Sequence, residues 1–166
     1  AGQNDLGIRG VASGCKVMPL RALSDVTPQD RADAINYAAS RRSLYTALII
    51  NCSWRTAGDN ISIHNAIINA INSGCVLLAA TGDANQTTVD YPARYDEPIA
   101  VGATSACDER VHPFETCDAF WPSGSDWGSN YGQEVDISAP GGVRIYTTDG
   151  TGTKGRNGTL GTDTLS

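Results

Sequence analysis

The chain has 166 residues, of which 40% are hydrophobic and 18% charged, a balance that belongs to a folded globular domain and excludes disordered and fibrous classes. A formal net charge of -6 and a pI near 4.7 argue against a nucleic-acid partner, because phosphate contacts need clustered Lys and Arg. No apolar run approaches the roughly 18 residues of a membrane span, and the N-terminus has no basic region followed by an apolar core, so no membrane partner is read from it.

Ala1 to Ala12 is Gly-rich and polar and reads as a connecting loop. Cys15 to Leu23 reads as a strand, weakened by Pro19, which cannot donate to a ladder. Thr27-Pro28 then opens a helix, with Thr27 as N-cap and Pro28 at the first helical position. Ala32, Ile35, Ala38 and Ala39 recur at helical spacing and carry that helix to about Arg42, with Arg41 and Arg42 in its last turn facing the helix dipole. Leu48 to Ser53 is a buried strand. A second helix spans Asn60 to Ser73, its apolar face made of Ile61, Ala66, Ile67, Ala70 and Ile71 and its stop provided by Gly74.

Cys75 to Ala80 and Pro98 to Ala103 are apolar runs of the right length for strands buried on both faces. Ser105 to Gly132 is loop-rich, and the irregular spacing of Trp121, Trp127 and Tyr131 argues against a carbohydrate platform. Val143 to Thr148 is a last short strand. The Gly- and Thr-rich stretch from Asp149 to Ser166 lacks an apolar face and reads as a mobile segment or an exposed hairpin. Strands alternating with helices give an α/β fold, a mostly parallel sheet flanked by helices, with one domain over 1–148 and a tail over 149–166.

Five cysteines are an odd number, so at least one is free or pairs with another chain. Cys52 and Cys75 fall in predicted strands as small buried hydrophobes. Cys107 and Cys117 flank a polar loop without metal-ligand spacing; a local disulfide is preferred over two free thiols and would contribute roughly 2–3 kcal/mol. His64, in the first turn of the second helix, has no neighbouring Ser, Cys or metal-ligand pattern and is read as structural, and His112 is similarly isolated.

A ligand site is expected where the strand Cys75 to Ala80 ends in Thr81-Gly82-Asp83, because sites collect beyond the carboxyl ends of parallel strands. Ala79-Ala80, Gly82, Tyr91-Pro92-Ala93 and Ile99 to Ala103 together resemble the segment of subtilisin-like serine proteases that supplies the oxyanion-hole Asn and one wall of the specificity pocket. Gly7-Ile8-Arg9-Gly10-Val11-Ala12, Trp127 to Gly132 and Val135 to Gly141 extend the resemblance over nearly the whole chain. It implies a partial subtilisin-like fold, with substrate held by Ser53, Trp54 and Arg55 on one side and by Ala79, Ala80, Thr81 and Gly82 on the other. Two positions depart from the pattern: Asp83 stands at the oxyanion-hole position of an Asn, and Arg55 stands where a Gly is expected. An Arg there would crowd the groove or steer it towards acidic substrates.

None of the matched positions supplies the Ser, His or Asp of the triad that such a mechanism needs. Asn157-Gly158-Thr159 imitates the motif before the nucleophile but continues with Leu160. An ionised carboxylate at Asp83 cannot donate to an oxyanion, and losing that donor costs about 10² to 10³ in rate. The chain is therefore read as the central fragment of a subtilisin-like endopeptidase, expected inactive by itself, or alternatively as an inactive protease-derived module that binds peptide or associates with itself. The resemblance further implies a peptide or protein substrate, a secreted or extracytoplasmic location, no organic cofactor, and calcium bound by carbonyls in a loop such as Ala93 to Pro98. Asp136 is read as a structural hydrogen-bonding acid.

Overall fold

The computed structural model describes residues 10–21, 25–113 and 126–141. The chain divides into two units: Leu20–Val143, which contains every helix and strand described, and Ala1–Pro19 with Arg144–Ser166, of which residues 10–19 are described. In that second unit Cys15 N–H closes a turn on Ala12 O at 3.0 Å. Residues 15–21 form no strand, so the predicted strand from Cys15 fails over its described part. Pro19 and the missing ladder donor explain that outcome. The predicted strand from Val143 to Thr148, the tail, and most of the Gly7 to Ala12 motif lie outside the described residues.

Helix α1 spans Pro28–Ser40 and starts at a capping box. The Thr27 hydroxyl accepts from Asp30 N–H at 3.2 Å while the Asp30 carboxylate accepts from Thr27 N–H at 2.7 Å, so two otherwise orphaned donors are satisfied reciprocally. Ala32, Ile35, Ala38 and Ala39 are its buried stripe, as the spacing predicted. The helix ends earlier than expected. Arg41 is its C-cap and Arg42 opens a short 3-10 turn, Arg42–Leu44, so neither cation sits in its last turn. Arg42 instead donates from Nε to Gly74 O and from Nη1 to Tyr45 O, both at 2.7 Å, tying this turn to the end of the second helix.

Helix α2, Ile61–Asn72, is capped by Asn60, whose side chain accepts from Ile63 N–H at 3.2 Å. Gly74 at φ +85° closes it. Gly74 N–H reaches Ile71 O at 2.8 Å and Cys75 N–H reaches Ala70 O at 3.0 Å, the paired bonds of a glycine C-cap. Its buried residues are Ile63, Ala66, Ile67 and Ala70, whereas Ile61 is 69% exposed. Ala66, Ile67 and Ala70 are thus buried as expected, while Ile63 takes the place expected of Ile61 and Ile71 is only half-buried, because isoleucines occur around the first turn and packing selects among them.

The sheet contains β1 Ile49–Cys52, β2 Val76–Ala80, β3 Ile99–Thr104 and β4 Ile137–Pro140, all parallel and adjacent in that order. Registered pairs such as Ile50 with Leu77 and Ala79 with Ala100 share a face. That face is buried at Ile50, Cys52, Leu77, Ala79 and Ala100, with α2 lying against β2 and α1 against α2. The opposite face is also apolar but open. Ile49 is 63% exposed, Val76 45% and Ile137 50%, with Leu78, Ile99, Val101 and Ala103 half-buried between them. Burial on both faces, expected from the continuous apolar runs, therefore fails among the described residues, because an apolar run by itself does not distinguish a covered face from an uncovered one.

Candidate functional site

Beyond the carboxyl ends of β1, β2 and β3 lies a cleft of about 410 Å³. Ser53, Trp54 and Arg55 line it from the β1 exit, and Ala79, Ala80, Thr81, Gly82 and Asp83 line it from the β2 exit. Leu78, Val101 and Ala103 reach it from the open sheet face, and Trp127 and Ser129 from the last described loop. All the substrate-side residues singled out in the sequence therefore meet around one opening.

The walls are held by side chains that sequence reasoning missed. Asn130 is 1% exposed. Its Oδ1 accepts from Ala84 N–H at 3.0 Å and Gln86 N–H at 3.2 Å, its Nδ2 donates to Asp90 Oδ2 at 3.3 Å, and its backbone N–H donates to Gly82 O at 3.0 Å. Gly82 has φ +106°, and a Cβ built there would collide with the Asn130 amide and the Asp90 carboxylate, so only glycine fits. Next door, Ser129 Oγ accepts from Ala103 N–H at 3.0 Å and pairs with Thr81 Oγ1 at 3.3 Å. Arg110 Nη1 donates to Ser129 O at 2.6 Å and Asn85 Oδ1 at 2.8 Å, while its guanidinium lies 4.3 Å above the Tyr131 ring.

On the β1 side, the Arg31 guanidinium lies 4.6 Å above the Trp54 ring and donates from Nη1 to Arg55 O at 2.8 Å. A helix residue thus fixes the loop's course. The Arg55 side chain is 62% exposed, yet its Nη1 lies 3.8 Å from Asp90 Oδ2, whose side chain is 14% exposed. Arg55 is therefore not an isolated cation, since a carboxylate faces it. Thr56 N–H donates to Tyr91 O at 3.0 Å and links this loop to the cis Tyr91-Pro92 bond.

Both histidines of the chain lie among the described residues, and neither lines the cleft. His64 stacks on Tyr95 with ring centroids 4.0 Å apart and places Nε2 3.0 Å from Glu97, while His112 lies 3.9 Å from Glu109. The isolation expected of His112 is thereby corrected. Asp136 Oδ2 accepts from Ala100 N–H at 2.8 Å and its own N–H donates to Ala100 O at 3.1 Å, extending the β3–β4 pairing at its start, a structural role. Burial pushes the Cys52 thiol up to about 12, only partly offset by Arg31, and raises that of Cys75, so both stay protonated and inert. Cys107 is disulfide-bonded, and Cys117, its expected partner, lies outside the described residues.

The model of the Subtilase family matches residues 1–164. The chain belongs to the subtilase family. It is 36% identical over 148 residues to the thermophilic serine proteinase of Bacillus sp. (strain AK1), covering 87% of this chain and 32% of that protein. It is 33% identical over 153 residues to thermitase of Thermoactinomyces vulgaris, covering 90% of this chain and 48% of that protein. The solved S41 psychrophilic protease superposes at a TM-score of 0.52 with 27% identity over 72% of this chain and 40% of that one. This subtilase chain thus spans a third to a half of the length of these relatives.

For calcium, the loop Ala93 to Pro98 offers the carboxylates of Asp96 and Glu97, and Glu97 is engaged by His64. Among the described residues no group of three or more His, Cys, Asp or Glu gathers as a metal site, and the carbonyl ligands that the resemblance implies carry no such side-chain signature. Nor is any described helix long and apolar enough to cross a membrane.

Asn130→Ala removes three side-chain hydrogen bonds that fasten the β2-exit loop. It should lower unfolding stability by about 1–3 kcal/mol, read as a lower midpoint in urea with an unchanged slope.

Proposed function

We propose that this chain forms the substrate-binding part of a subtilisin-like serine endopeptidase, in which an extended peptide lies between Ser53–Arg55 and Ala79–Gly82. The observation that carries this reading is that the two strand exits the family uses for substrate border one cleft here, on a fold matched over residues 1–164. A peptide laid between two strand exits pairs through main-chain hydrogen bonds, and pockets beside it select side chains. The half-buried Trp54 ring and the floor of Leu78 and Val101 supply apolar surface for one such side chain.

Acyl transfer requires a serine activated by a histidine, an acid orienting that histidine, and donors facing the oxyanion. The two serines lining the cleft do not meet that need. Ser53 Oγ accepts from Asn51 Nδ2 at 2.9 Å and Ser129 Oγ is committed to Ala103 N–H and Thr81, with no histidine beside either. Asp83 is exposed at the oxyanion-side wall, where an ionised carboxylate accepts hydrogen bonds and repels a developing negative charge. The 166 residues are therefore proposed to bind peptide without cleaving it. Relatives named "Minor extracellular protease Epr" in Bacillus subtilis and "Extracellular protease" in Xanthomonas campestris support a secreted setting.

The purified chain should give no turnover of fluorescently quenched casein above buffer, with or without a serine-directed covalent inhibitor. Inhibitor-sensitive turnover would overturn the assignment, because it requires a nucleophile within these residues. The open face of Ile49, Val76 and Ile137 supports a second reading, in which copies associate through this apolar surface. Light scattering should then show mass rising with concentration, and a monomer at every concentration would contradict it.

A further inference from the structure

Four Asn-x-Ser/Thr stretches occur in the chain, at Asn51, Asn60, Asn85 and Asn157, and none has Pro between. An oligosaccharyl transferase reads that spacing: the amide is the acceptor and the enzyme holds the hydroxyl two residues on, so both side chains must be within its reach. Asn157 lies outside the described residues. Asn51 sits within β1, its Nδ2 donates to the Ser53 hydroxyl at 2.9 Å, and Cys52 between them is buried. Asn60 is the N-cap of α2, its Oδ1 accepts from Ile63 N–H, and Ser62 is locked in the first helical turn.

Asn85 is placed differently. It lies in the irregular stretch after β2, where Asp83, Ala84, Gln86, Thr87 and Thr88 are exposed. Its Oδ1 accepts from Arg110 Nη1 at 2.8 Å, which fixes the amide with its oxygen towards the arginine. Its Nδ2 donates to no described residue. The only buried side-chain polar atom without a partner among the described residues is Arg31 Nε, so this amide nitrogen reaches solvent. The exposed Thr87 hydroxyl is likewise unengaged among the described residues. Asp83, two residues before Asn85, adds a carboxylate that a basic acceptor groove can recognise, whereas the other three stretches carry Ile49, Gly58 and Gly155 at that spacing. A sugar on Nδ2 leaves Oδ1 in place, so the Arg110 contact survives modification. Asn85 does not line the cleft, so modification there leaves the peptide path open.

We propose that Asn85 is the acceptor of an N-linked glycan, which shields the exposed loop 83–88 from proteolysis. This rests on the extracellular setting proposed above, because transferases that recognise this spacing act on chains that have crossed a membrane. The donor is an oligosaccharide joined through its anomeric carbon to a polyprenyl diphosphate. Asn85 Nδ2 attacks that carbon, and the bond from the carbon to the diphosphate oxygen breaks. The polyprenyl diphosphate leaves with the electron pair, and one amide proton passes to a base of the transferase. An exposed polar loop is where proteases nick folded chains, and a bulky hydrophilic group there obstructs them.

The test incubates the folded 166-residue chain with a purified single-subunit bacterial oligosaccharyl transferase and a polyprenyl-diphosphate-linked oligosaccharide, and maps the product by peptide mass spectrometry. The glycan mass should appear on the peptide carrying Asn85 and on none carrying Asn51 or Asn60. Thr87→Ala, at an exposed position, leaves Asn85 and its Arg110 contact untouched and should abolish the modification. Thr87→Ser keeps the hydroxyl and should retain it. A bare Asn85 in the unsubstituted chain, or a glycan that persists in Thr87→Ala, would overturn the acceptor. A broad-specificity protease should then cut the modified chain several-fold more slowly within residues 83–88, and equal cutting would overturn the shield. Because donor and enzyme are supplied, these outcomes do not depend on where the chain resides. Recovery of the natural protein only from inside cells would overturn the extracellular setting alone.

Discussion

The buried amide of Asn130 is the contact on which the cleft depends. An irregular loop leaving a parallel sheet has backbone N–H and C=O groups with no ladder to satisfy them, and each one left bare costs free energy comparable to a lost hydrogen bond. Residues 82–90 solve this by wrapping around one side chain, which takes the N–H groups of Ala84 and Gln86 and gives its own amide to Asp90. Gly82 follows from the same packing, since the amide and the carboxylate fill the space a Cβ would need. Ser129 and Arg110 complete the arrangement by bonding the neighbouring peptide groups to β3 and to Asn85. What sets the position of Asp83 at the cleft wall is thus a dipeptide more than forty residues away in sequence.

That distance explains which parts of the chain were legible in its sequence. Local signals worked: Thr27-Pro28 and Gly74 each act within a few residues of the helix end they set, and the structure uses both. Where a long-range choice decided the outcome, the reading failed. Ile61 and Ile63 are equally apolar, and only the packing of α2 buries the second and exposes the first. Strands rich in Ile, Val and Leu signal apolar faces, and the resemblance implied that some of that surface stays uncovered, but which positions stay open, Ile49, Val76 and Ile137, was set by the fold. Asn130 was visible as part of a recognisable turn, Trp127 to Gly132, yet nothing in the order of residues names its partners. Asp90 was missed for the same reason, although it stands directly before Tyr91-Pro92.

Charge in the cleft has the same character. Read alone, Arg55 in place of a small residue predicts a positive groove. In the fold its charge is answered by Asp90 at 3.8 Å, with Asp83 also on the wall. Partial burial weakens solvent screening at the Asp90 end of that pair, while the Arg55 end stays exposed. On this subtilase scaffold the charge of the cleft is therefore set by groups that the fold brings together rather than by any one position in the sequence.

The most direct measurement is amide and indole chemical-shift mapping of the labelled 166-residue protein as a neutral blocked peptide is added. The account predicts that shifts concentrate at the indoles of Trp54 and Trp127 and at the amides of residues 53–55 and 79–83. Shifts confined to the open sheet face at Ile49, Val76 and Ile137, with the cleft unaffected, would contradict it.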